Sequence, residues 1–102
     1  MDVENSEFLE FVAAADTSEL DYILIGGLAM ILNGAERFTQ DAVLWLEPSN
    51  ENRDRFIKAL VIRIYDIPMD VLTRTHFNLD YQACRKRARL FTTKGDQVIY
   101  FS

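Results

Sequence analysis

Two adjacent glycines, Gly26-Gly27, stand between an apolar run, Tyr22-Ile-Leu-Ile25, and a stretch of helical character that begins at Leu28. Without side chains their backbone amides can approach a phosphate closely, and a helix N-terminus favours negative charge. A plain strand-to-helix turn uses the same pair. Ten residues on comes Arg37-x-Thr39-x-Asp41-x-Val43, which brings a cation, a hydroxyl, a carboxylate and an apolar side chain to alternate positions. A second carboxylate, Asp70, lies in Met69-Asp-Val-Leu72. Carboxylates at strand ends either cap turns or hold hard cations, which take oxygen donors. Val43 offers such a cation no lone pair.

The elements that must position these residues are legible in the hydrophobic pattern. Asn5 or Ser6 caps a helix to about Ala15, with Phe8, Leu9, Phe11 and Val12 turned inward and Glu7 and Glu10 near its positive end. The run 22–25, wholly apolar and bounded by a turn and glycines, predicts a buried strand. A short helix over 28–33 follows, and Gly34 takes the left-handed C-terminal position. Residues 41–46 predict a strand whose alternation places Asp41, Val43 and Trp45 on one face and Ala42, Leu44 and Leu46 on the other. Pro48-Ser49-Asn50 opens a helix to about Leu60 with Phe56, Ile57 and Leu60 as its buried stripe. Residues 61–64 read as an edge strand or the end of that helix. A strand over 69–73 carries Asp70, Asp80 caps a helix to about Ala88, and 90–93 with 97–101 form a hairpin around Lys94-Gly95-Asp96. Phe91, Tyr100 and Phe101 read as core. The class expected is α+β with a small mixed sheet.

The order strand, Gly26-Gly27, helix, Arg37-x-Thr39-x-Asp41 resembles the nucleotidyltransferase fold of minimal nucleotidyltransferases and of some bacterial antitoxin and abortive-infection proteins. The resemblance covers about residues 18–101. The family pattern continues as Asp-x-Asp, and its two aspartates hold catalytic metal with a third from the neighbouring strand. The resemblance therefore implies Asp41 and Asp70 as catalytic, metal-holding positions, with Gly26, Gly27, Arg37 and Thr39 toward the nucleotide and Mg²⁺ as the cofactor. Val43 stands where the family has its second ligand. Mg²⁺ commonly uses one or two carboxylates plus substrate phosphates, so a single ion can still be held. Two ions about 3.5–4 Å apart, which activate nucleophile and leaving group together, are held less well. Glu47 shares the strand face but lies about 13 Å beyond Val43, too far to replace the missing ligand.

The reading that follows is a single nucleotidyltransferase-like domain over 1–102, with a shortened link near 60–69 and without the family's C-terminal helical segment. It is expected to be a weak or inactive transferase that retains at most nucleotide and Mg²⁺ binding, or an antitoxin-like protein-interaction role. The alternative is an active minimal enzyme that transfers an NMP from an NTP to an acceptor. A sheet face without its covering helix would favour a homodimer or a protein partner.

Charge narrows the partners. Residues 1–36 hold eight acids and no Lys or Arg, and the remainder holds eight acids and eleven bases, for a net charge of −5. General nucleic-acid binders are usually basic, so that class is disfavoured. Arg85-Lys86-Arg87 with Arg89 is the densest basic cluster and reads as a solvated helix end complementing the dipole. The lone Cys84 forms no intrachain disulfide, and the single His76 leaves no His/Cys metal set. The acidic N-terminus and the glycine-broken apolar run 22–32, short of the ~20 residues a bilayer needs, lead to the expectation of a cytoplasmic, non-membrane protein.

Overall fold

Asn5 starts the chain's first helix: its Oδ1 accepts from the amides of Glu7 and Phe8 at 2.9 and 3.1 Å, satisfying two donors that have no partner within the helix. The computed structural model in which this is seen describes residues 2–61, 69–75 and 79–102. Helix α1 runs Ser6–Thr17, slightly past the expected end, and Glu19 at φ +58° turns the chain into strand β1, Tyr22–Ile25. Helix α2, Gly26–Leu32, begins on the glycine pair itself and not at Leu28. Strand and helix meet without a loop there, and Gly26 absorbs the change of direction at φ +74°, a region that side chains resist. Gly34, at φ +102°, ends α2 as expected.

Strand β2 spans Ala42–Leu46, helix α3 Asn50–Val61, strand β3 Met69–Leu72, helix α4 Tyr81–Arg87, strand β4 Arg89–Thr93 and strand β5 Asp96–Tyr100. Residues 62–64 of the possible edge strand, and His76, lie outside the described residues. The five strands form one mixed sheet in the order β3-β2-β1-β5-β4. β1 runs antiparallel to β2 and parallel to β5, and β2 and β3 are parallel. The architecture is α+β. No helix among the described residues is long and apolar enough to cross a membrane.

Alternation along the strands gives the sheet two different faces. Ala42, Leu44 and Leu46 join Tyr22, Leu24, Val98 and Tyr100 beneath α1 in the main core, where Phe11 meets Phe56 of α3 edge-on at 6.2 Å. Ile23 and Trp45 point the other way and are covered by Tyr81 of α4. That second face is therefore not bare, as the sequence led one to expect. Helix α4 closes one part of it and leaves the region of Ile25, Leu72 and Phe101 more open. Ile57 is a second correction: it is 48% exposed, and α3 turns Asn52 and Ala59 into the interior instead.

Asn52 is fully buried, and it ties three elements together. Its side chain accepts from the Asp21 amide at 2.8 Å and donates to the carbonyls of Asp21 and Glu47 at 2.8 and 2.9 Å. The start of β1, the end of β2 and the start of α3 all close on this one amide. Asn52→Ala should destabilise the protein by about 3 kcal/mol, since three backbone groups lose partners worth ~1 kcal/mol each. A urea unfolding midpoint measures it, and a loss below 1 kcal/mol would mean that water replaces the amide.

Candidate functional site

Strands β2 and β3 pair so that Ala42 faces Met69, Val43 faces Asp70 and Trp45 faces Leu72. Register partners project to the same side of a sheet, with neighbouring strands about 4.8 Å apart. Asp70 thus stands directly across from Val43. Asp41 precedes Val43 by two residues, the interval that returns a strand to the same face. On Val43's other side, β1 brings Ile25 into register. Asp70 and Val43 are thereby neighbours across the sheet, and Asp41 immediately precedes the strand that carries Val43.

The glycine pair is explained by what touches it. A Cβ on Gly27 would lie 2.7 Å from both Cβ and Oγ1 of Thr39, and a Cβ on Gly26 would lie 3.1 Å from Cγ2 of Val43. The space that the two absent side chains leave is filled on this side by the chain's own Thr39 and Val43. Thr39 is buried, and its hydroxyl donates at long range to the Asp41 carbonyl and carboxylate, at 3.3 and 3.4 Å. Thr39 thus acts on the site through Asp41 and packs α2 against β2. Arg37 is exposed and reaches along α2, donating from Nη1 to the Met30 sulfur at 3.2 Å. Glu47, excluded as a ligand by distance, accepts from the Ser49 amide at the start of α3.

One step further along the same face, Trp45 and Leu72 border an apolar cavity of about 360 Å³. Ile25, Leu79, Phe101, Arg74 and Thr75 complete its lining, which is almost wholly apolar. A second, more polar cavity of about 290 Å³ adjoins it, sharing Trp45, Arg74, Thr75 and Leu79 and adding Glu47, Asp80 and Gln82. Trp45 meets Tyr81 edge-on with ring centres 5.1 Å apart, and its buried indole N–H finds no hydrogen-bond acceptor among the described residues. The Tyr81 hydroxyl donates to Asp21 at 2.7 Å, and Arg85 approaches the same carboxylate oxygen at 3.4 Å. Burial, then the hydrogen bond to Asp21 and its charge, push the Tyr81 phenol well above its ordinary pKa, so it stays a neutral donor. This network fastens α4 over Trp45 and shapes the cavity wall.

Sequence reasoning named the carboxylates and did not name most of the residues around the cavity. Phe101 was expected in the core, but it follows Tyr100 by one residue and lies on the opposite face, 37% exposed and lining the cavity. Arg74, Thr75 and Leu79 come from the segment between β3 and α4, where no periodic signal marks a side chain as lining anything. Among the described residues there is no group of three or more His, Cys, Asp or Glu side chains placed to hold a metal. Two carboxylates would suffice for a single Mg²⁺, whose other positions water or phosphate oxygens take, and would not suffice for a pair. Comparison with protein-family models, with curated proteins and with solved structures finds no match to this chain.

Proposed function

We propose that this chain is a nucleotide-binding protein on a nucleotidyltransferase-like scaffold whose transferase activity is weak or absent. The observation that carries the reading is the β2–β3 register, which sets Asp70 opposite Val43, two residues from Asp41 in the chain. In this reading the two carboxylates flank a position where a third would complete a metal-holding cluster, and an apolar cavity is bordered by Trp45 and Leu72, two residues along the strands from Val43 and Asp70. In this reading a nucleoside triphosphate lays its base against Trp45 and Leu72 and its phosphates toward Asp41 and Asp70. When bound there, a single Mg²⁺ would neutralise phosphate charge. Asp41 would hold it on a carboxylate steadied by Thr39, and Asp70 would hold it from the neighbouring strand. Gly26 and Gly27 let α2 approach the strand closely enough for this, and Arg37 stays at the rim. A valine at the central position leaves no ligand for a second ion, so alignment and activation of the attacking group are impaired together.

A second reading is a protein-interaction role, in a homodimer or with another chain. It is favoured by Phe38, which stands 75% exposed between Arg37 and Thr39.

Titration with Mg·ATP, and with ATP plus EDTA, while following the single tryptophan and the thermal midpoint, separates the two. Metal-dependent binding is expected, with Asp41→Ala removing the metal dependence. At a nucleotide concentration a hundred times Kd, binding should add about 2.7 kcal/mol of stability. Absence of binding with or without metal would leave the interaction role as the reading. Metal-dependent binding that survives in Asp41→Ala would remove Asp41 from the site.

A further inference from the structure

We infer that the free edge of β4 takes up an acidic, extended peptide of a partner protein as a sixth strand of the sheet. This surface is separate from the nucleotide reading above, because β1 and β5 stand between β4 and the β2–β3 pair. β4 ends the sheet on one side, and its pairing with β5 runs unbroken from Arg89 to Thr93. Neither a proline nor a bulge, two devices that close an edge to other strands, interrupts it. The turn after β4, with Lys94 and Gly95 at positive φ, closes on Thr93 and Asp96 as a hydrogen-bonded pair. Such pairs alternate along an antiparallel ladder, so Phe91 and Arg89 also bond inward to β5. The N–H and C=O groups of Leu90 and Thr92 therefore point to the open side. Both side chains are exposed, Leu90 to 56%.

Charge selects the occupant. Lys86, Arg87 and Arg89 stand at the start of this edge and Lys94 at its end, all exposed. Among the described residues none of these cations is held in an ion pair. Near Lys94, Glu4 accepts from the Thr93 hydroxyl and Asp96 is the register partner of Thr93. Those two acids offset Lys94, so the unbalanced positive charge gathers at the Arg87–Arg89 end. A second copy of this chain does not suit the edge. Antiparallel self-pairing through Leu90 and Thr92 would bring Lys94 of each copy to Arg87 and Arg89 of the other, and like charges so placed are destabilising. A segment carrying carboxylates turns the same cations into favourable cross-strand pairs. Strand addition draws its affinity from main-chain hydrogen bonds and its specificity from alternate side chains. Arg89 shares the face of Tyr100 and Leu90 that of Ile99, so alternating acidic and apolar residues match the edge.

The test is fluorescence anisotropy of the intact protein with a short labelled peptide of alternating Glu and Val. Two reference peptides accompany it, one with Lys for each Glu and one with its backbone amides N-methylated. The Glu peptide should bind about tenfold or more tighter than the Lys peptide, and added salt should narrow the gap. N-methylation keeps every charge and removes the main-chain donors, and should weaken binding about tenfold or more. Thr92→Pro removes an outward N–H without taking a donor from the β4–β5 ladder, and should weaken the Glu peptide to the level of the methylated one. Arg89→Glu, an exposed change that leaves the ladder intact, should abolish the preference for Glu over Lys. Equal affinity for the Glu and Lys peptides would overturn the inference, and so would equal affinity for the Glu and methylated peptides. Absence of all peptide binding would overturn it too. A dimer in sedimentation that Thr92→Pro dissolves would give the edge to a second copy and overturn it as well. Each of these outcomes leaves the ATP titration, and the nucleotide reading it tests, untouched.

Discussion

Val43→Asp should lower the thermal midpoint of the protein in EDTA and restore it in Mg²⁺, whereas the parent protein should respond little to either. The new carboxylate would stand across from Asp70, on strands about 4.8 Å apart, and two residues from Asp41. Three like charges on one small area of sheet repel each other, and the valine methyls that pack on Gly26 are lost. A cost of about 1–2 kcal/mol follows for partly exposed charges at that spacing, or roughly 5–10 °C in a domain this small. Mg²⁺ turns the same repulsion into a ligand set and should recover about 2.7 kcal/mol at a hundred times its Kd. Mg²⁺-dependent nucleotide affinity should rise with it, by about tenfold for each 1.4 kcal/mol of improved metal binding. Differential scanning calorimetry with and without Mg²⁺ reads the first effect and nucleotide titration the second. A variant indifferent to Mg²⁺ would mean that the carboxylates at 41, 43 and 70 do not converge.

The sign of a second result separates two roles for the glycine pair. If Gly27 only left its amide open to phosphate, alanine there would stabilise α2 by up to ~1 kcal/mol through helix propensity and harm nucleotide binding alone. The packing leads to the opposite expectation. An alanine Cβ would lie 2.7 Å from Cβ and Oγ1 of Thr39, and Thr39 Cβ is anchored to backbone and cannot swing aside. Gly27→Ala should therefore destabilise the protein by about 2 kcal/mol net, within the usual cost of overpacking. Thr39→Gly in the same chain should recover most of that loss, giving a coupling energy of about 2 kcal/mol in a double-mutant cycle of urea midpoints. Additive losses would mean that α2 shifts away from β2 and that the contact does not govern the glycine.

These two contacts mark where local reasoning stopped. Asn5 and Asp80 were recognisable as caps because a capping side chain reaches amides only two or three residues ahead. The strand at 22–25 and the helices beginning at 6, 50 and 81 followed from periodicity within single segments. The hairpin turn was legible in the same way, since Lys94 and Gly95 both adopt positive φ, the geometry that a tight two-residue turn requires. The two faces of β2 were equally plain, because alternation needs no partner strand. Phe101, just past the end of β5, and Ile57, within α3, were misplaced for a related reason: spacing alone does not decide which apolar side chains the rest of the fold covers.

By itself, then, the sequence determined the α+β class, most element positions and the face shared by Val43 and Trp45. Each rests on dihedral preference, capping or alternation, which act over a few residues. The tertiary structure alone decided that Asp70 faces Val43, that Thr39 fills the space beside Gly27, that Asn52 joins three elements, and that Phe101 and Arg74 meet Trp45 around a cavity. Apart from the contact of Asn52 with Glu47, those pairings link residues 12 to 56 positions apart in the chain. They are selected by which apolar surfaces can be buried together, a property of the whole packed sheet and of no single segment.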